Sequence, residues 1–236
     1  MSGAERPLRV EQREDGVVAL WLDRPAVRNA LDRSLVEALD SAFRSSGARA
    51  FVLGSADQRW FCAGADLSLA DSERAAVSDR LYELYRTMLS VGAPIVAAID
   101  GPAVGGGAQL ALASDLRVGS PAARFRFPGP GHGLSVGAWA LPSLVGRGRA
   151  LDLCLTMRDV DADEAIRIGL LDRLEPDPRQ AACAIARELA GLEPEAAARV
   201  KMITQSASGL LAALEAERTG NASWSGSVEG LVRSPS

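Results

Sequence analysis

Two stretches hold the residues best suited to chemistry: FCAGADL at 61–67 and, further along, the glycine-rich GPAVGGGAQLALASD at 101–115. In the second, a β-rich run gives way to Gly105–Gly107 and then to a helical pattern in which Leu110, Ala111 and Ala113 can pack inward. No GK[ST] follows the glycines and their spacing is not GxGxxG, which disfavours a phosphate loop and a dinucleotide fingerprint alike. Glycine does permit a ligand to come close to the main chain. A helix beginning there also offers unpartnered N–H groups and the positive end of its dipole. That arrangement suits an oxygen that gains negative charge during a reaction.

Proton carriers near these stretches are few. His132, the one histidine, lies in GPGHGLSVG and has the ionisation range of a general acid or base, with a pocket-wall or surface role as the alternative. Ser135 is close in sequence, but a Ser–His pair without an orienting acid is no triad. Cys62, Cys154 and Cys183 form no CxxC pair and no metal-like cluster with His132, so buried free thiols are expected and no metal site. Arg124 and Arg126 alternate with Phe125 and Phe127, a pattern of exposed strand positions rather than of a substrate clamp. Lys201, the sole lysine, carries no functional weight in the sequence.

The elements that must position these residues alternate between strand and helix. Residues 7–24 read as a hairpin around the Asp15-Gly16 turn. Asp32 caps a helix with Leu35, Val36, Leu39 and Phe43 at helical spacing. A buried strand, ARAFVLGSA, precedes the FCAGADL loop; a helix over 73–90 and the strand PIVAAID lead to the glycines. Strands are predicted near 115–119 and 123–128, and helices near 137–145 and 147–156. Asp161 and Glu164 form a capping-box variant for a helix over 162–168, LLDRL reads as a last short strand, and the pattern is helical from Arg179 onward.

With 236 residues, 47% hydrophobic and 24% charged, the chain fits one α/β domain with an appendage and has no run long enough to span a bilayer. A net charge of −4 argues against a large nonspecific attraction to nucleic acid or anionic lipid. The N-terminus lacks the apolar core of a signal peptide, so the cytoplasm is the expected location.

FCAGADL followed by GPAVGGGAQLALASDLRV resembles the two signature segments of the enoyl-CoA hydratase/isomerase family, the crotonase superfamily. RPAVRNALD at 24–32, the APIVAAIDG strand and DADEAIRIGLLDRL extend the likeness, and WSGSVEG echoes it weakly. The resemblance implies a ClpP/crotonase-like α/β spiral of ββα units over residues 1–178, and a C-terminal helical oligomerisation region over 179–236. It implies a homotrimer or a dimer of trimers. It also implies that Ala63 and Gly106 donate the backbone N–H groups of an oxyanion hole for an acyl-CoA thioester. Arg28, Ala65, Asp66, Leu67, Gly105, Gln109 and Gly129 would line that ligand. Coenzyme A enters as part of the ligand, and no separate cofactor is implied. Asp66 and Asp115 match positions with a structural role. Arg24 and Arg28 flank the adenine-proximal element and either could reach a ligand phosphate, and Arg233 is the one basic residue left in a shortened tail.

Hydratase members carry glutamates where this chain has Gln109 and Gly129. A neutral amide has no accessible protonation change near neutrality and glycine has no side chain, so ordinary hydration is not expected. Two readings follow: a crotonase-like enzyme whose proton carrier is His132 or the substrate, and a non-catalytic acyl-CoA or acyl-chain binding or shuttle protein.

Overall fold

The computed structural model describes residues 6–45 and 47–228. Strands β1 (Leu8–Gln12) and β2 (Val17–Leu22) form the expected hairpin. All six residues of β2 are buried, as are those of β3 (Ala50–Ser55) and β4 (Ile95–Ile99), because helices cover both faces of these strands. With β6 (Leu116–Gly119) and β9 (Arg173–Leu174) they make a six-stranded sheet in the order β1-β2-β3-β4-β6-β9, parallel except at β1.

Alternate residues divide the two faces of this sheet. Val17, Ala19, Trp21, Val52, Val96 and Ala98 face α7 (Pro178–Ala190) through Ala182, Ile185 and Ala186. Val18, Leu20, Leu22, Phe51, Leu53, Ile95 and Ile99 face the main core, built with α1 (Arg33–Ser45), α2 (Asp71–Ser90) and α3 (Gly106–Ala113). Helix α7 therefore closes the core; α8 (Pro194–Ala207) follows it, and Leu214 further on packs back into the main core. The Asp32 cap holds, its carboxylate accepting from the Leu35 N–H at 2.9 Å, and so does that of Asp161, which accepts from the Glu164 N–H at 2.8 Å, while the Glu164 carboxylate pairs with Arg158 rather than closing the box.

A second sheet layer positions the site. Strands β5 (Pro102–Val104), β7 (Arg124–Arg126) and β8 (Val160–Asp161) pair in the order β5-β7-β8. Isolated bridges Leu31↔Ala65 and Cys62↔Ala103 tie the two loops into the same layer. Each long strand thus hands the chain to a short pairing one level up before a helix returns it. Helices α4 (Leu141–Val145), α5 (Arg147–Thr156), α6 (Ala162–Ile168) and α9 (Leu210–Asn221) complete the described chain. Cys62, Cys154 and Cys183 are buried and free. Among the described residues no helix is long and apolar enough to cross a membrane, and no group of side chains could hold a metal ion.

Candidate active site

The RPAVRNALD turn is the clamp that sets the first loop. Asn29 sits at φ +56°, a left-handed conformation that asparagine tolerates, and its fully buried side chain radiates bonds. Its Oδ1 accepts from the Arg24 N–H at 2.9 Å, and its Nδ2 donates to Ser55 Oγ at 2.7 Å and to the Phe61 carbonyl at 3.0 Å. The Arg24 guanidinium pairs with Asp32 at 3.0 Å and Asp66 at 3.4 Å, and donates to the Ala30 carbonyl. These internal contacts commit Arg24 and correct its expected place beside a ligand phosphate. Asp66 accepts from the Ser68 N–H and hydroxyl; burial alone would raise its carboxyl, but these bonds and Arg24 hold it below the usual range, as a structural aspartate requires.

Within FCAGADL the backbone alternates like a strand. The Ala63 N–H donates to the Arg28 carbonyl at 3.0 Å, Leu31 donates to the Gly64 carbonyl at 2.7 Å, and Asp66 donates to the Leu31 carbonyl at 3.0 Å. The expectation for Ala63 is therefore corrected: pairing with the 28–31 turn consumes its N–H, and the alternation leaves the N–H of Ala65 without a partner among the described residues. Gly106, the first residue of α3, has an N–H in the same condition, since nothing precedes it in the helix to accept.

The two N–H groups belong to loops pressed together. A Cβ on Gly64, which has φ +90°, would lie 2.7 Å from the Val104 oxygen and 3.4 Å from the Gly106 nitrogen. One on Gly107 would lie 2.4 Å from the Cys62 oxygen, so the start of α3 can dock on the loop only without a side chain. Gly105 donates to the Arg126 carbonyl at 2.9 Å, and the Tyr85 hydroxyl donates to the Gly106 carbonyl at 2.9 Å, fixing the turn from outside and from below. Burial pushes the Cys62 thiol up to about 12, which leaves it a packing group.

Gln109 is buried, and its Oε1 accepts from Trp139 Nε1 at 2.8 Å and from the Gly137 N–H at 3.2 Å. Gly129 is not an empty carboxylate position: a Cβ there would meet Val136 Cγ2 at 2.6 Å and the Leu134 oxygen at 2.7 Å. The loop that follows has collapsed onto the space a side chain would need.

His132 is half-buried at the end of a 3-10 turn over Gly129–His132. Burial, with Arg74 and Arg126 nearby, pushes its imidazole down and keeps it neutral. It makes no hydrogen bond to Ser135, whose N–H and carbonyl are instead held by the Asn221 side chain. Arg28 is exposed and left-handed at φ +57°, its guanidinium 4.6 Å from the Trp60 ring centroid. Leu67 is exposed and its carbonyl accepts from the buried Arg74. Arg124 is exposed and Phe125 and Phe127 are buried, as their alternation predicts, whereas Arg126 is half-buried and its Nε donates to the Met157 carbonyl at 2.9 Å. Arg233 lies outside the described residues.

A carboxyl that shares the donors of Gln109 comes from a part of the chain where none was sought. Glu217 of α9 is 6% exposed, and its oxygens accept from the Tyr82 hydroxyl at 3.0 Å, the Gly137 N–H at 3.2 Å and the Trp139 N–H at 3.0 Å. The signal was present as a charge on an apolar helical register, Leu210, Leu214 and Glu217.

The enoyl-CoA hydratase/isomerase family profile matches residues 12–227. A probable enoyl-CoA hydratase of Mycobacterium leprae is 41% identical over 199 residues, covering 80% of this chain and 79% of that protein. Among solved structures, an enoyl-CoA hydratase from Bacillus anthracis superposes with a TM-score of 0.81 at 27% identity, covering 91% of this chain and 89% of that one. A probable enoyl-CoA hydratase/isomerase from Mycobacterium abscessus gives 0.77 at 32% identity, with 91% and 88% covered. The agreement spans both loops, both sheet layers and the helices that hold them, and the chain belongs to the enoyl-CoA hydratase/isomerase family.

Proposed function

We propose that this chain binds an acyl-CoA thioester with its carbonyl oxygen between the N–H groups of Ala65 and Gly106. The observation that carries this reading is the pair of unpartnered N–H groups on two loops in van der Waals contact. Donors fixed before the ligand arrives are commonly worth about 2.7–4 kcal/mol each toward a developing oxyanion in a water-poor site. Arg28, exposed beside Trp60, is the proposed contact for the nucleotide end of coenzyme A. Ordinary hydration is not part of the proposal, because position 109 is an amide and position 129 has no room for a carboxylate.

Isothermal titration with a series of acyl-CoA thioesters tests the reading. Saturable binding is expected, weakened by Gly64→Ala, which pushes the two loops apart. Failure of any acyl-CoA to bind would end it. The second reading, a non-catalytic acyl-CoA or acyl-chain shuttle, is favoured by the loss of both hydratase carboxylates. It is distinguished by binding without any bond or proton exchange in the thioester.

A further inference from the structure

Position 109 and Glu217 share a donor set. Gln109 Oε1 and Glu217 Oε1 each lie 3.2 Å from the same Gly137 nitrogen, and Trp139 gives its indole N–H to the first and its backbone N–H to the second. A carboxylate at 109 would face the carboxylate of Glu217 across one amide, and two like charges there could not both ionise near neutrality. The amide at 109 and the acid at 217 therefore form a matched pair.

The same cluster reaches the thioester turn. Tyr85, whose hydroxyl holds the Gly106 carbonyl, stacks on Trp139 with centroids 6.2 Å apart and meets Tyr82 edge-on at 6.0 Å. Gln109 itself lies on the first turn of α3, its N–H on the Gly105 carbonyl at 3.0 Å. On the far side, Asn221 Nδ2 donates to the Tyr82 hydroxyl at 2.7 Å, which leaves that hydroxyl's proton for Glu217.

Resting on the thioester reading above, we propose that Glu217 is the acid/base residue of this site, moved from the α3 position to α9. In the reaction, the Glu217 carboxylate takes a proton from the thioester α-carbon. The C–H electron pair becomes the second bond between the α-carbon and the carbonyl carbon, and the carbonyl π pair moves onto the oxygen held by Ala65 and Gly106. Reversal returns a proton to the α-carbon, so solvent deuterium enters with no oxidant, reductant or net change of the thioester. The groups facing Glu217 are Tyr82 and Tyr85 of α2 and Cys154 of α5; burial, reinforced by the Glu217 charge, pushes all three upward, so none competes as a proton carrier near neutrality. Burial pushes the Glu217 carboxyl itself up to about 7 against the bonds from Tyr82, Trp139, Gly137 and Ala138, in the range a general base needs.

The test is deuterium exchange at the α-carbon of butyryl-CoA and octanoyl-CoA in heavy water, followed by mass spectrometry, with binding of the same thioesters measured by calorimetry. Exchange is expected to rise with pH through the Glu217 ionisation. Glu217→Gln should lose about 10²-fold or more of it while still binding. Tyr82→Phe, which deletes one bond to the carboxylate, should move the rising limb to higher pH, a shift that a purely structural Glu217 would not produce. Tyr82→Phe also decides the matter if Glu217→Gln does not fold. Binding without exchange, exchange unaltered by Glu217→Gln, or a limb unmoved by Tyr82→Phe would overturn the proposal and leave the binding reading standing. No binding at all would remove the thioester reading and this proposal with it.

Discussion

Glu217 is a carboxyl that folding moves out of water, and its ionisation is therefore linked to stability. Its folded value of about 7 lies above the 4.5 of a free glutamate, so the folded protein keeps a proton that the unfolded chain releases. Stability should fall as pH rises across that window, by on the order of 3 kcal/mol for this one group. Asp66 works in the opposite direction, since its lowered carboxyl contributes stability that is lost only as pH drops through its own folded value, outside this window. Urea denaturation at about pH 5 and about pH 7.5 should show the fall in wild type and a flatter dependence in Glu217→Gln. An equal fall in both would place the proton elsewhere. Gly129→Glu is predicted to destabilise by about 1–3 kcal/mol or more without conferring hydration, because its Cβ would enter Val136 and the Leu134 carbonyl. A stable, hydrating variant would contradict the packing at that loop.

At the scale of elements, the sole lysine staples α8 to the core. Lys201 Nζ lies 2.8 Å from Asp115 Oδ2 and donates to the Met88 carbonyl at 3.0 Å, and Gln205 also reaches Asp115. Asp115 has a second task, accepting from the Ile95 N–H at 2.8 Å at the head of β4. Asp115→Ala should therefore cost about 3 kcal/mol or more, stranding a buried ammonium and an unpaired N–H, whereas Lys201→Met should cost less than half of that. Equal costs in urea titrations would contradict this unequal division between the two partners. Hairpin, caps and long strands were legible in the sequence, because each is written in local pattern. The role of Lys201 was not, since its partner lies far along the chain, and Ala63 was misassigned because N–H direction depends on register with Arg28 and Leu31, a nonlocal fact. The short strands Pro102–Val104 and Val160–Asp161 have too few residues to show a period, so the second sheet layer was also hidden.

Over the whole molecule, α8 and α9 leave Val200, Met202, Ile203 and Leu211 exposed. The assembly that the family resemblance implies, a homotrimer or a dimer of trimers, would cover such a face. Light scattering should then give three or six times the chain mass, falling to one chain in Val200→Asp with Ile203→Asp; a wild-type monomer would contradict this. What unites residue, element and molecule is the pair of loops that the Asn29 clamp and α3 bring into contact. The most direct test of their purpose is the infrared carbonyl stretch of an acyl-CoA labelled with carbon-13 at the thioester carbon. Bound to wild type, that stretch should move to lower frequency than in water, because Ala65 and Gly106 polarise the bond, and the displacement should shrink in Gly64→Ala. A bound thioester whose carbonyl keeps its aqueous frequency would contradict the account.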